Sequence, residues 1–366
     1  MDRTTAILLR LIALGLGNDV EFDIPLEGVD WQAVIQRAMA EGLDAISFDG
    51  LSALYKLRPD LTEALNESLG NDKFNWMSFT LQAELDYAKY REKLQELAAF
   101  YNDAGLPVMV VKGYGLSLDY PTPAHRPTGD IDLYMFGRGA EADKRVKDKL
   151  GITVNQEGDK HSRFRFQRLS VENHATFLNV AGHRSLQPIE QFLEQEALKA
   201  SEVPVGDAKI CVPPAMFNAV FLPCHLAAHF LYEGIPLKQL VDWAVFLARH
   251  GSEVDWNAVR LMAEDAGRFE FFRALNRIVV SHFGVPAESL PDWGCNPELE
   301  ERVWQDILLP QKDLAARSLV ERFLDYFRNR WKFRLVFREN FFIYFARHLW
   351  AFLRGKFFPK AKNVWE

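Results

Sequence analysis

The sequence predicts an α/β chain of the α+β kind, a small mixed β-sheet core set between N- and C-terminal helical regions. Three observations carry that expectation. Residues 106–136, LPVMVVKGYGLSLDYPTPAHRPTGDIDLYMF, open on an apolar β-type run from 107 to 111 and break at Lys112-Gly113. They then pass a short helical segment and an Arg-Pro-Thr-Gly turn before a second β-type run that carries Asp130 and Asp132. Residues 162–167 and 170–177 read as the strands of a hairpin. Before residue 105 and again from about 188, apolar residues recur at helical spacings of three and four.

The helical lead-in spans residues 1–105. The opening MDRTTAILLRLIALGLGND is interrupted by Asp2 and Arg10, no small-residue cleavage site follows it, and it reads as an amphipathic helix rather than a secretory signal. Asp30 is an N-cap for a helix starting at Trp31, and Gly42 closes it. A longer helix is expected over 74–103, with Leu81, Leu85, Tyr87, Tyr90, Leu94, Leu97 and Phe100 as its core stripe, and Gly105 delivers the chain into the first strand. The core proper is 106–185, including a charged surface helix over 140–150. From 186 to 330 the chain is expected to be helical, with helices around 221–230 and 237–247 and another beginning at Val254-Asp255-Trp256. Residues 331–366 form a basic, aromatic tail.

Composition bounds the function. A chain of 366 residues with 48% hydrophobic and 25% charged residues can bury a substantial core. Its net charge of -7 argues against a chain-wide nucleic-acid surface, so no stable nucleic-acid complex is expected. Cys211, Cys224 and Cys295 suggest neither a disulfide framework nor a zinc ribbon, and a reducing cytoplasm is the natural setting. No apolar run reaches the roughly 20 residues that span a bilayer.

Alternation along a strand sends Asp130 and Asp132 to one side while Ile131 and Leu133 go to the core. Two carboxylates side by side repel, and a divalent ion between them keeps both charged. Hard oxygen ligands favour magnesium or manganese, with substrate phosphates completing the shell. On an exposed edge strand the same pair would merely be solvated. Lys112-Gly113, at a strand end before a short helix, provides a cation and a close backbone approach for an anion, and Arg126 adds a second cation.

The order Lys112-Gly113, Arg126, Gly129-Asp130-Ile131-Asp132-Leu133 resembles the family of uncharacterised nucleotidyltransferases, of the polymerase-β-like superfamily, with a KG…R…DIDL signature inside a mostly helical chain. The likeness runs from near the N-terminus to about residue 290. It implies a third acid just before a histidine, which Leu169-Ser170-Val171-Glu172-Asn173-His174 matches with Glu172. On that resemblance Asp130, Asp132 and Glu172 hold the metal and act catalytically on a nucleoside triphosphate, and Lys112, Gly113 and Arg126 bind its phosphates. His174 orients a metal ligand, binds phosphate, or is a satisfied polar residue under a loop. Other nucleotidyltransferases have a small residue after the glycine, where this chain has Tyr114, which would restrict the pocket or stack on a base. Two other readings are an inactive nucleotide-binding module and a toxin-like enzyme acting on RNA or protein.

Lys160, His161, Arg163 and Arg165 fall beside this site. His225 and His229, four apart, have zinc-site spacing, but no Glu follows His225 and no third ligand is evident, so a structural or substrate-side role is expected. In the tail Lys332, Arg334, Arg338, Arg347, Arg354, Lys356, Lys360 and Lys362 face only Glu339 and Glu366 among acids. Such a segment binds an anionic membrane or RNA, lends charge to a phosphate-bearing substrate, or packs its aromatic face on the body.

Overall fold

Strand β1 (Met109–Val110) pairs antiparallel with β2 (Ile131–Tyr134), and β2 lies parallel to β5 (Leu169–His174). The computed structural model describes residues 1–309, 321, 324, 327–347 and 350. β3 (Asn155–Glu157), β4 (His161–Phe166), β6 (Ser201–Val205) and β7 (Ala208–Val212) complete one mixed sheet, in the order β3-β4-β5-β2-β1-β7-β6. The β4–β5 turn is Gln167-Arg168, both at positive φ, the type I′ geometry that matches strand twist.

Around the sheet, in chain order, lie α1 (Arg3–Gly15), α2 (Trp31–Glu41), α3 (Asp44–Leu57), α4 (Thr62–Leu69) and α5 (Asp72–Asn102), then α6 (Tyr114–Ser117), α7 (Gly139–Arg145) and α8 (Gln187–Ala197). The second half of the chain adds α9 (Ala215–Tyr232), α10 (Leu237–His250), α11 (Trp256–Asp265), α12 (Phe269–Phe283), α13 (Pro297–Ile307) and α14 (Arg330–Val336). The caps follow the sequence: the Asp30 carboxylate accepts the Ala33 N–H and Gly42 adopts the left-handed conformation at the end of α2, while Asp255 caps α11. No described helix is long and apolar enough to cross a membrane.

The sheet is buried on both faces, and this positions the site. On one face Val110, Ile131, Leu133, Phe164 and Val171 pack under Tyr90, Leu94, Leu97 and Tyr101 of α5. Each such aliphatic contributes about 1.5–3 kcal/mol through burial. On the other face Met109, Val111, Tyr134 and Phe177 join Phe217 and Phe221 of α9. Alternation therefore sends Asp132, Glu172 and His174 toward the α9 side, because Ile131, Leu133 and Val171 are committed to α5.

Two expectations change, and two others take definite form. Leu81 and Leu85 are 51% and 57% exposed, so the core stripe of α5 begins at Tyr90; the N-terminal half of the helix runs past the sheet and leans on the lead-in through Trp76 and Thr80. The chain after 186 is not helical throughout: Ser-Glu-Val-Pro-Val and Ala-Lys-Ile-Cys-Val turn about Gly206, at φ +58°, and add β6 and β7 beside β1. The charged helix expected over 140–150 forms, α-helical over Gly139–Arg145 and π-helical over Val146–Leu150. The described part of the tail packs on the body. Lys332 is buried, donating to the Phe230 carbonyl at 3.0 Å and pairing with Asp306, while Phe333, Val336, Phe337, Phe341 and Tyr344 are buried. Arg354, Lys356, Lys360 and Lys362 lie outside the described residues.

Candidate active site

The parallel register of β2 and β5 sets Asp132 opposite Glu172 and Tyr134 opposite His174. Asp132 is almost fully buried; His174 Nε2 lies 2.9 Å from its Oδ1, and the Lys112 ammonium lies 3.1 Å from its Oδ2. Burial opposes ionisation of Asp132, but the Lys112 charge and the His174 hydrogen bond outweigh it and hold the carboxyl well below the usual carboxylate range. Asp130 stands on the exposed approach to β2. Partial burial and the negative charges of Asp132 and Glu172 raise its pKa, and Lys112 opposes them.

Glu172 Oε1 accepts from Arg163 Nη2 and, at 3.1 Å, from Arg163 Nε. Its Oε2 lies 3.8 Å from both His174 Nε2 and His161 Nε2. One ligand atom each from Asp132, Glu172 and His174 falls within a mutual 4.8 Å, and these are hard oxygens and an imidazole nitrogen. That donor set suits a divalent ion, and the charges of Asp132 and Glu172 reach Asp130 beside it.

The roof comes from α9. Because Phe217 and Phe221 are fixed on Phe177, the next turn of the helix brings His225 over the sheet, its ring stacked on Phe221 at 5.7 Å. The Lys112 ammonium donates to His225 Nε2 at 3.4 Å. Burial, then the Lys112 charge, push the His225 imidazole well below its ordinary range, so the neutral ring is the acceptor. His229 turns outward to Glu233 at 3.0 Å. The two histidines converge on no third ligand among the described residues.

Two residues expected to meet the nucleotide, Arg126 and Tyr114, are placed differently. Arg126 sends Nε and Nη2 to the two carboxylate oxygens of Asp242, each at 2.8 Å, and Nη1 to the Pro127 carbonyl at 3.2 Å. The Tyr120 hydroxyl donates to the same carboxylate at 2.8 Å. Gly113 is at φ +62°, and a Cβ there would lie 2.7 Å from the Tyr90 hydroxyl, so only glycine makes this turn. The Tyr114 ring is buried in the α5 core, 6.2 Å from the Tyr87 ring, and presents no face to a base. Helix α6 has only four residues, too few for its dipole to hold an anion.

A family profile described as an uncharacterised nucleotidyltransferase matches residues 27–284. The chain belongs to this nucleotidyltransferase family. No curated protein matches the chain. Among solved structures it is similar to an antigenic nucleotidyltransferase-like protein from Paracoccidioides brasiliensis, at 12% identity and a TM-score of 0.36, over 53% of this chain and 92% of that one.

Two parts of this nucleotidyltransferase escaped the sequence reading. His225 was visible as half of an H-x-x-x-H pair, but its contact with Lys112 depends on where α9 crosses the sheet. Asp242 carried no local signal for its pairing with Arg126, 116 residues away.

Proposed function

We propose that this nucleotidyltransferase moves a nucleoside monophosphate from a nucleoside triphosphate to a hydroxyl or phosphate acceptor and releases pyrophosphate, with magnesium or manganese held by Asp130, Asp132 and Glu172. The observation that carries the reading is the Asp132–Glu172 register on adjacent parallel strands, with His174 beside both carboxylates. A divalent ion bound there supplies positive charge to the phosphates and acidifies a coordinated hydroxyl. Asp132 remains ionised at neutral pH because Lys112 and His174 hold it so. Glu172 keeps Oε2 free of Arg163, and that oxygen takes the acceptor's proton. The Gly113 turn brings backbone close to the triphosphate. Arg126 acts by position, since Asp242 holds its fork. A reducing, cytoplasmic setting accords with the three free cysteines.

The Lys112–Asp132 contact favours one second reading, a nucleotide-binding module in which a lysine neutralises the acid and no transfer occurs. Titration calorimetry with nucleoside triphosphates, with and without magnesium, separates the two, because the module needs no metal. Transfer is tested by screening labelled triphosphates against cell extract. Asp130→Asn and Asp132→Asn should each abolish labelling with the circular dichroism spectrum unchanged. Full labelling by either variant refutes the proposal.

A further inference from the structure

The cations beside the acid cluster are unequally committed. Lys112 is held by Asp132 and His225, Arg126 by Asp242 and the Pro127 carbonyl, and Arg163 by Glu172 and Glu157. Lys160 differs from all three. Its backbone is fixed just beyond β5, where its carbonyl accepts the Ala175 N–H at 2.8 Å and the Thr176 N–H at 3.2 Å. Its ammonium makes no hydrogen bond or ion pair among the described residues, and its side chain is half-buried. Burial and the neighbouring Lys112 disfavour its charge, while Asp132, Glu172 and Glu190 act on it in the opposite sense.

A partly shielded ammonium without a partner gains from acquiring one, and this one is anchored at the rim of a site whose acids are already shared with Lys112, Arg163 and His174. An arriving anion supplies the missing partner. A chain of phosphate oxygens also brings enough negative charge to satisfy Lys160 without taking Lys112 from Asp132. We propose that Lys160, rather than Lys112 or Arg126, is the residue that binds the triphosphate chain of the substrate, a role that rests on reading the acid cluster as a nucleotide site.

The test uses the full chain and two probes, magnesium tripolyphosphate, which needs no knowledge of the base, and the four common nucleoside triphosphates with magnesium. Calorimetric affinities are compared for wild type, K160M, K160R and K199M, the last an exposed lysine paired only with Glu196. Losing one charge-assisted contact should weaken tripolyphosphate binding about ten- to a hundredfold in K160M. K160R should stay within about threefold of wild type, K199M should be unchanged, and the urea midpoints should coincide. Equal affinity in wild type and K160M overturns the role of Lys160 and leaves the nucleotide site standing. Loss in both K160M and K160R with lowered urea midpoints assigns Lys160 to the fold and overturns the proposal. If wild type binds neither tripolyphosphate nor any triphosphate, both readings fall.

Discussion

Removing the Asp242 carboxylate should be among the costliest single changes in this chain. Arg126 and Asp242 keep only 11% and 10% of their side-chain surface exposed, and the carboxylate accepts two guanidinium N–H bonds and the Tyr120 hydroxyl, each at 2.8 Å. Three bonds to a charged group sum to about 5–9 kcal/mol if counted separately, but they share one desolvation cost and are not additive. The better guide is the cost of leaving a buried charge without its partner, about 3–5 kcal/mol. Asp242→Ala should therefore lower the unfolding free energy by about 3–5 kcal/mol, read from urea unfolding at pH 7 with the m-value unchanged. Asp242→Asn keeps an acceptor for Tyr120 and should cost less. The double variant Arg126→Met with Asp242→Leu removes both charges and should return to within about 1 kcal/mol of wild type. A loss below about 1 kcal/mol for Asp242→Ala would refute the reasoning, because it would mean that Arg126 is solvated in the folded protein.

Other consequences are smaller. Gly113→Ala forces a side chain into φ +62° against the Tyr90 hydroxyl and should destabilise by about 1–3 kcal/mol in the same assay. Tyr90→Phe should recover only part of that, because the backbone strain remains. His282 stacks on Trp304 at 3.9 Å, and burial pushes its pKa from 6.5 down to about 4. Its stabilising contribution is thus complete above about pH 6.5 and declines as pH falls toward 4, by about 1–2 kcal/mol once solvent screening is allowed. His282→Phe should flatten that slope in urea midpoints taken between pH 7 and 5, and an unchanged slope would contradict it. Arg302, Arg328, Arg330 and Arg334 line a concave surface of about 580 Å³ with Trp331 as its aromatic wall. Replacing Arg328, Arg330 and Arg334 with Ala should reduce retention on RNA and on anionic vesicles at low salt, and equal retention would assign these charges to solvation.

Much of the architecture could be read from local pattern. Asp30 and Gly42 bracket a helix because a carboxylate caps free N–H groups and glycine tolerates left-handed backbone. Ile131 and Leu133 around Asp132 give a half-buried strand because alternation is a property of the backbone itself. Local pattern failed where a partner decides the outcome. The helical period continues through Leu81 and Leu85, but periodicity says only that residues share a face, and at that end of α5 the sheet is no longer there to cover them. Tyr114 looked available because it follows Gly113, yet the turn folds its ring beneath α5.

The sequence alone determined the family and the side of the sheet on which Asp132 must lie, since both follow from residue order and strand alternation. Only the tertiary structure decided how the charges pair. Electrostatic partners are chosen by distance in space, and the packing of α9 and α10 brought His225 to Lys112 and Asp242 to Arg126 across more than a hundred residues. Strand pairing at the end of β5 likewise set Lys160 beside the acids with no ion pair of its own among the described residues.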